Sequence, residues 1–293
     1  MNIKAANAPV SWGVMEVEGW GPQMPYTSFL DELVSAGYAG SELGPYGFMA
    51  TEPEELGREL RRRRVDLISA FVPLRLKEDG ADLGPVRQVG KLLQAMGAAH
   101  IVLADAMWEE REAVAGRAEE SGIALSEDDW RRVQANLTEA AELARRYGLR
   151  GVFHHHAGTY IETPAEVERL LELTPVGLCL DTGHYVYGGG DPVEAVRRFG
   201  ARVEYLHFKD VDAERLEEVK QKGLGFLDGV RAGVFCELGR GCVRFPDLLA
   251  ELEKIDYDGW AVVEQDVDPE SSEQPPVECA RASRRYLREE LGI

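Results

Sequence analysis

The sequence predicts an α/β fold, a (β/α)8 TIM barrel of one domain, on three observations. Short apolar runs with strand character alternate with amphipathic helical stretches eight times along the chain. The length of 293 residues fits such a barrel, typically about 250 residues plus insertions. Polar residues gather at the C-terminal ends of several different runs rather than at one switch point, and no G-x-G-x-x-G follows the first strand, which argues against an open doubly wound sheet. Strands spaced by helices in this way pair in parallel through right-handed crossovers. No linker or low-complexity segment interrupts the pattern, so residues 1–293 read as a single domain.

Ile3 to Val10 reads as the first strand, followed by a Gly-rich loop through Pro25. A helix over Tyr26 to Ala36 carries Phe29, Leu30, Leu33 and Val34 at helical spacing, and Gly37 stops it. Ala39 to Leu43 is the second strand, with a helix over Pro53 to Arg63. Val65 to Val72 is the third, closed by Pro73, with a helix over Val86 to Met96. His100 to Ala104 is the fourth, ending at Asp105. The charged stretch Trp108 to Ala124 is either a helix or a flap over the strand ends. Ser126 and Asp129 form a capping box for a long helix to Tyr147. Gly151 to His156 is the fifth strand, and Thr163-Pro164-Ala165-Glu166 opens its helix with cap, first-turn proline and glutamate in register. Val176 to Leu180 is the sixth, with Asp191-Pro192 starting its helix. Val203 to Asp210 is the seventh, followed by an excursion from Val211 to Phe245 and a helix over Pro246 to Ile255. Trp260 to Glu264 is the eighth, and a last helix covers Pro276 to Leu291.

Composition excludes several function classes. A formal net charge of -19 is wrong for a nucleic-acid surface, which needs Lys and Arg to neutralise phosphates. Arg61 to Arg64, the one dense basic run, falls at a predicted helix end, where cations suit the helix dipole. Four cysteines without C-x-x-C spacing point to a reduced, cytoplasmic protein. The N-terminus lacks a signal-like apolar segment, and no apolar run has the roughly 18 residues that a membrane span needs.

Four clusters carry the chemistry. Leu180-Asp181-Thr182-Gly183-His184 ends the sixth strand, His154-His155-His156 the fifth, His207-Phe208-Lys209-Asp210 the seventh, and Glu264-Gln265-Asp266 the eighth. Alone, Asp-Thr-Gly-His reads equally as a turn in which Asp181 caps a helix. With strand ends converging at a barrel's C-terminal face, it joins a site whose titratable candidates are Glu42, Asp105, His154 to His156, Asp181, His184, His207, Lys209, Asp210 and Glu264. Carboxylates and imidazoles on neighbouring strands suit a divalent ion, manganese or cobalt first, with zinc or magnesium next. Strand alternation puts His154 and His156 on one face with His155 opposite, and Tyr205, His207 and Lys209 on one face. Candidate acids and bases are His184, Lys209 and Glu264. Glu42, Trp12, His156 and Arg240 are candidate substrate contacts, with Tyr46 and Trp108 as further wall residues. For Trp12 and the other aromatics core packing is an equal alternative, and for Arg240 a turn built on Gly239 and Gly241 is.

The patterns Leu180 to His184, Leu206 to Asp210 and Gly259 to Asp266 resemble the xylose-isomerase-like barrel superfamily of sugar isomerases, epimerases and dehydratases. Asn7 to Val14, Gly40 to Gly44 and Phe153 to Thr159 narrow the resemblance to the inosose dehydratase branch, over nearly the whole chain. The superfamily holds its metal with Glu, Asp, His and Glu on the fifth to eighth strands. The resemblance therefore implies Asp181, His207 and Glu264 as ligands, with His154 where a Glu is usual, or His155 if the strand slips by one residue. Exchanging Glu for His removes a negative charge and leaves the ion a stronger Lewis acid.

The implied activity is metal-dependent dehydration of a keto-inositol of the 2-keto-myo-inositol type through an enediolate. The alternative is isomerisation or epimerisation of a ketose, which shares the first step. A phosphodiesterase resembling endonuclease IV is disfavoured by the charge, and a non-catalytic sugar-binding barrel is a further class. The expected partner is a small polyol ketone or ketose, with no nucleic acid and no membrane; a homo-oligomer is compatible with the sequence.

Overall fold

The computed structural model describes residues 2–15, 17, 20, 24–272 and 274–293. Its strands are β1 (Asn2–Asn7), β2 (Gly40–Glu42), β3 in two segments (Asp66–Ser69 and Phe71–Leu74), β4 (His100–Asp105), β5 (Arg150–His154), β6 (Gly177–Asp181), β7 (Val203–Phe208) and β8 (Asp258–Val263). They pair in parallel in the order β3, β2, β1, β8, β7, β6, β5, β4, β3, so the two segments of β3 lie at either end of the order and close the barrel. Ala70 separates those segments without opening the wall: its carbonyl accepts from Val102 N at 3.0 Å, while Ser69 O accepts from Leu43 N at 3.0 Å.

Several predicted boundaries shift. β3 continues through Pro73 to Leu74 rather than ending before the proline. β1 stops at Asn7, and Pro9–Trp12 forms a 3-10 turn that Gly13 ends at φ 76°. Part of the predicted first loop lies outside the described residues. β5 stops at His154, leaving His155 and His156 to the mouth loop, and β7 stops at Phe208, so that Asp210 leaves the barrel wall for a short separate strand.

The helices wrap the outside, and their ends follow the sequence signals. Ser126 and Thr163 each accept from the N3 backbone, at 3.2 and 3.3 Å, and Asp129 and Glu166 return the bond. Such a cap contributes about 1 kcal/mol. The stretch Trp108 to Ala124 forms two short helices, Glu109–Glu112 and Ala118–Ser121. Arg111, buried, pins it to the barrel through paired bonds to Glu166 at 2.9 and 3.0 Å. In the excursion after β7, Asp210–Val211 pairs antiparallel with Phe235–Cys236, and helices Ala213–Lys222 and Phe226–Arg231 lie between. Phe226, Phe235 and Val219 there share an apolar cluster with Tyr187 and Ala157 at the mouth.

The barrel interior is layered by the period-two alternation of its strands. Ala6, Ile68, Val102, Val152, Cys179, Tyr205 and Val262 fill one apolar layer. Two residues further along four of those strands stand His154, Asp181, His207 and Glu264, and two further still His156, Gly183, Lys209 and Asp266. The packed interior thus gives way to two successive polar layers at the C-terminal mouth. No helix among the described residues is long and apolar enough to cross a membrane.

Candidate active site

The inner polar layer brings His154, Asp181, His207 and Glu264 together, all buried, with one donor atom of each within 4.8 Å of the others. His154 Nε2 lies 3.4 Å from Asp181 Oδ2, and His207 Nδ1 lies 3.7 Å from the same oxygen and 3.1 Å from Glu264 Oε2. His207 Nε2 donates to Glu42 Oε1 at 3.2 Å, and Tyr205 Oη donates to the same oxygen at 2.9 Å. Glu42, a predicted substrate contact, thereby fixes the His207 tautomer and turns Nδ1 toward the two carboxylates, the arrangement by which carboxylates orient metal-binding histidines. Burial opposes charge on His207, but Cys179, Glu264 and Glu42 outweigh it and raise its pKa well above the usual range.

The outer layer is organised around Lys209. Its buried ammonium meets four acceptors: Asp266 Oδ1 at 2.9 Å, His184 Nε2 at 2.9 Å, Glu264 Oε2 at 3.1 Å and Asp181 Oδ2 at 3.2 Å. Three N–H bonds cannot serve four acceptors at once. Asp181 and Glu264 are shared with the inner layer, whereas Asp266 and His184 belong to the outer one. Burial would lower the pKa of Lys209, but Asp181, Asp266 and Glu264 together raise it above its ordinary value. Gly183 makes room for this side chain: a Cβ there would stand 2.5 Å from Lys209 Cγ. The glycine of Asp-Thr-Gly-His is thus explained by a close side-chain approach.

His184 opens the short helix Thr182–Tyr187, whose N-cap Asp181 accepts from His184 N at 2.8 Å. The turn reading and the site reading of Asp181 are therefore both correct, one oxygen serving each. Burial, then the Lys209 charge, holds His184 well below the usual imidazole pKa, so its Nε2 accepts from the ammonium. His156 packs against His184, ring centroids 3.8 Å apart and planes tilted by 36°, and its Nδ1 donates to Ala157 O at 2.6 Å, leaving Nε2 as an acceptor. His155 points away from the cluster: its Nε2 accepts from Asp181 N at 3.3 Å and its ring meets Tyr185. A cavity of about 60 Å³ opens onto the site, lined by Glu42, Phe71, His154, His156, His184, Lys209, Glu264 and Asp266 among others.

Other expected contacts lie elsewhere. Trp12 packs in the helix-facing core, edge-on to Phe29 at 4.8 Å, with Nε1 donating to Glu32 at 2.7 Å; ending β1 at Asn7 turns it out of the mouth. Arg240 is exposed and donates to Glu237 at 3.0 Å. It lines a neighbouring cavity of about 440 Å³ rather than the one over the cluster. Tyr46 is exposed, and Trp108 lies between Arg75 and Lys77 while donating to Asp105 at 3.0 Å. Asp105 also accepts from Leu76 N and Tyr160 N, and burial pushes its pKa up to about 7.

Asp210 is likewise a loop organiser, accepting from the backbone N–H groups of Val211, Gly239, Gly241 and Val243 at 2.9 to 3.0 Å. Stranding these donors costs about 1 to 3 kcal/mol for each one that stays buried. Asp210→Ala is therefore expected to lower unfolding free energy by roughly 2 to 4 kcal/mol in urea denaturation, with metal content unchanged. Asp266 is the residue that sequence reasoning overlooked. It lies two positions beyond Glu264, so the same alternation that places Lys209 above His207 would have found it.

The donor set fits a divalent cation. His154 Nδ1 and His207 Nδ1 are buried without a hydrogen-bond partner, the latter facing two carboxylates. Three buried carboxylates, Asp181, Glu264 and Asp266, contact the ammonium of Lys209, and a fourth, Glu42, pairs with His207. Two imidazoles with two carboxylates, all buried and converging on one space, suit a transition metal.

Comparison with known proteins agrees with the architecture. A sequence profile described as "Xylose isomerase-like TIM barrel" matches residues 30–290. An inosose dehydratase of Geobacillus kaustophilus is 33% identical over 294 residues, covering 96% of this chain and 92% of that protein. The rhizopine catabolism protein MocC of Rhizobium meliloti is 36% identical over 273 residues, covering 92% and 83%. Among solved structures, the IOLI protein with a bound zinc atom superposes with a TM-score of 0.72 at 15% identity, covering 98% of this chain and 97% of that one, a likeness of fold. On the profile and these relatives together, the chain belongs to the xylose isomerase-like TIM barrel family.

Proposed function

We propose that the chain is a divalent-metal-dependent hydro-lyase that dehydrates a cyclic polyol ketone of the 2-keto-myo-inositol type. The observation that carries this reading is the pairing of a metal-type donor set with a buried ammonium, Lys209, hydrogen-bonded to a neutral imidazole, His184. Full-length relatives named inosose dehydratase support it.

In this reading His154, Asp181, His207 and Glu264 hold the ion, manganese or cobalt first and zinc or magnesium as alternatives. Bound there, it supplies Lewis-acid stabilisation for negative charge developing on a ketone oxygen and the oxygen beside it. The protein's own groups move the protons. His184, kept neutral, takes the proton from the carbon next to the ketone. Lys209, kept charged, protonates the departing β-hydroxyl, a step without which hydroxide is a poor leaving group. Glu264 is held in the carboxylate form by His207 and Lys209 against the effect of its burial, so it anchors rather than donates. His156 Nε2 accepts from a substrate hydroxyl, and Glu42 orients His207.

Loss of the β-hydroxyl separates dehydration from the ketose isomerisation or epimerisation that begins the same way. Incubation with manganese or cobalt and a panel of keto-inositols and linear ketoses distinguishes the two. A dione chromophore is expected from 2-keto-myo-inositol, with linear ketoses unchanged. Epimerised linear ketoses without any dione would replace this reading by the epimerase one.

A further inference from the structure

We infer that Glu112, outside both polar layers, is a positioning residue: it seats the helix Phe226–Arg231 and, through Phe226, fixes the imidazoles of His156 and His184. The placement stands on geometry alone, and its effect on turnover rests on the dehydratase reading.

That helix has no cap of its own. Its N-cap position is Gly225, so no side chain from there reaches the free N–H groups of the first turn. Glu112, 115 residues away, supplies the acceptor instead, its Oε1 taking the Leu227 N–H at 2.9 Å. The glycine is what admits it, because a Cβ on Gly225 would stand 2.7 Å from each oxygen of the Glu112 carboxylate. Two neighbouring contacts repeat the grip. Arg117 Nη1 donates to Leu224 O at 3.1 Å, and Gly116 leaves room for the Lys220 stem, whose Cε would lie 2.8 Å from a Cβ there.

Glu112 is itself firmly held. Arg111 beside it is buried, bonding Glu166 through both terminal nitrogens and Ile123 O at 2.7 Å. Buried Glu162 accepts from Gly116 N at 2.6 Å with one oxygen and from Gly158 N at 2.9 Å with the other, which ties this segment to the loop that carries His156. On the far side of the helix, Phe226 is fully buried, its ring centroid 5.0 Å from that of His156, 5.6 Å from that of His184 and 5.7 Å from that of Tyr187. Tyr187 ends the short helix on which His184 stands, and Gly229 gives its hydroxyl room, since a Cβ there would lie 2.7 Å from Oη. Close-packed side chains transmit a displacement rather than absorb it. A shift of the Phe226 helix therefore reaches both imidazoles and the helix beneath one of them.

The test reads the six histidine ring signals by NMR at one pH, assigned with single His→Gln variants, on protein loaded with zinc because that ion is diamagnetic. In Phe226→Leu the signals of His156 and His184 lose the ring current of Phe226 and shift. Glu112→Ala alters none of these three rings, yet should move the same two signals toward their Phe226→Leu positions. His100, at the start of β4 and away from the mouth, should keep its wild-type signal and so report an intact barrel. Glu112→Gln, which retains an acceptor for Leu227 N, should restore both signals. With manganese and 2-keto-myo-inositol, Glu112→Ala should lower kcat by about 10- to 100-fold, the upper figure being the cost of a misplacement of about 1 Å. KM should stay within about threefold of wild type, since the groups that hold substrate are untouched, and Glu112→Gln should recover kcat. Wild-type His156 and His184 signals in Glu112→Ala, an unchanged kcat, or a loss that Glu112→Gln fails to restore would each overturn the inference. If the wild-type protein makes no dione, the functional reading falls, while the ring signals still decide whether Glu112 positions the two histidines.

Discussion

Lys209→Met is expected to lower dehydration of 2-keto-myo-inositol by about 10²- to 10⁴-fold, the range for a lost general acid, while metal content stays at the wild-type level. Methionine keeps the unbranched stem that passes over Gly183 and removes only the ammonium. Exchange of the α-proton should survive, because His184 loses a hydrogen-bond donor but keeps its place between His156 and Phe235. The substitution also leaves Asp266 buried without its cation, a change that costs about 3 to 5 kcal/mol when one partner of a buried pair is removed. Lower stability is therefore expected and does not by itself decide the role. The ratio of elimination to exchange does: a Met variant that dehydrates at near-wild-type rate would reduce Lys209 to a structural ion-pair partner.

A second large effect is expected from Asp181→Ala combined with His207→Ala. These residues supply two of the four donors and flank the shared space from adjacent strands, Asp181 pairing with His207 in the register of β6 and β7. Outer partners of metal ligands already cost about 10- to 100-fold in affinity when removed. Loss of two direct ligands should exceed that for each and take the purified protein from one ion per chain to none. Full occupancy in the double variant would contradict the assignment. His184→Gln is the companion, because His184 lies in the outer layer and should leave metal content intact.

Much of this was legible in the sequence, for a physical reason. Parallel strands buried on both faces read as short apolar runs, and a barrel puts its polar residues where those runs end, so His154, Asp181, His207 and Glu264 announce their own convergence. What escaped lies where period-two alternation stops being a guide. The ends of β1, β5 and β7 came earlier than the apolar pattern suggested, because Asn7, His154 and Phe208 are followed by residues that the mouth loops recruit. That moved Trp12 into the core and Asp210 into its own loop, where it binds four backbone N–H groups. Glu42 sits at a register shift between β2 and β3, and nothing local in Gly-Ser-Glu tells that it will meet His207 from across the barrel. Asp266 was in plain view beside Glu264. Its role depends on Lys209 arriving from β7, a contact between distant segments that no single motif contains.

The most direct measurement strips the protein of metal, adds 2-keto-myo-inositol, and follows the dione chromophore as manganese or cobalt is titrated back. No dione is expected from the stripped protein, and the rate should rise to saturation at one ion per chain. Dione formation indifferent to stripping, or none with the ion fully bound, would contradict the metal-dependent reading.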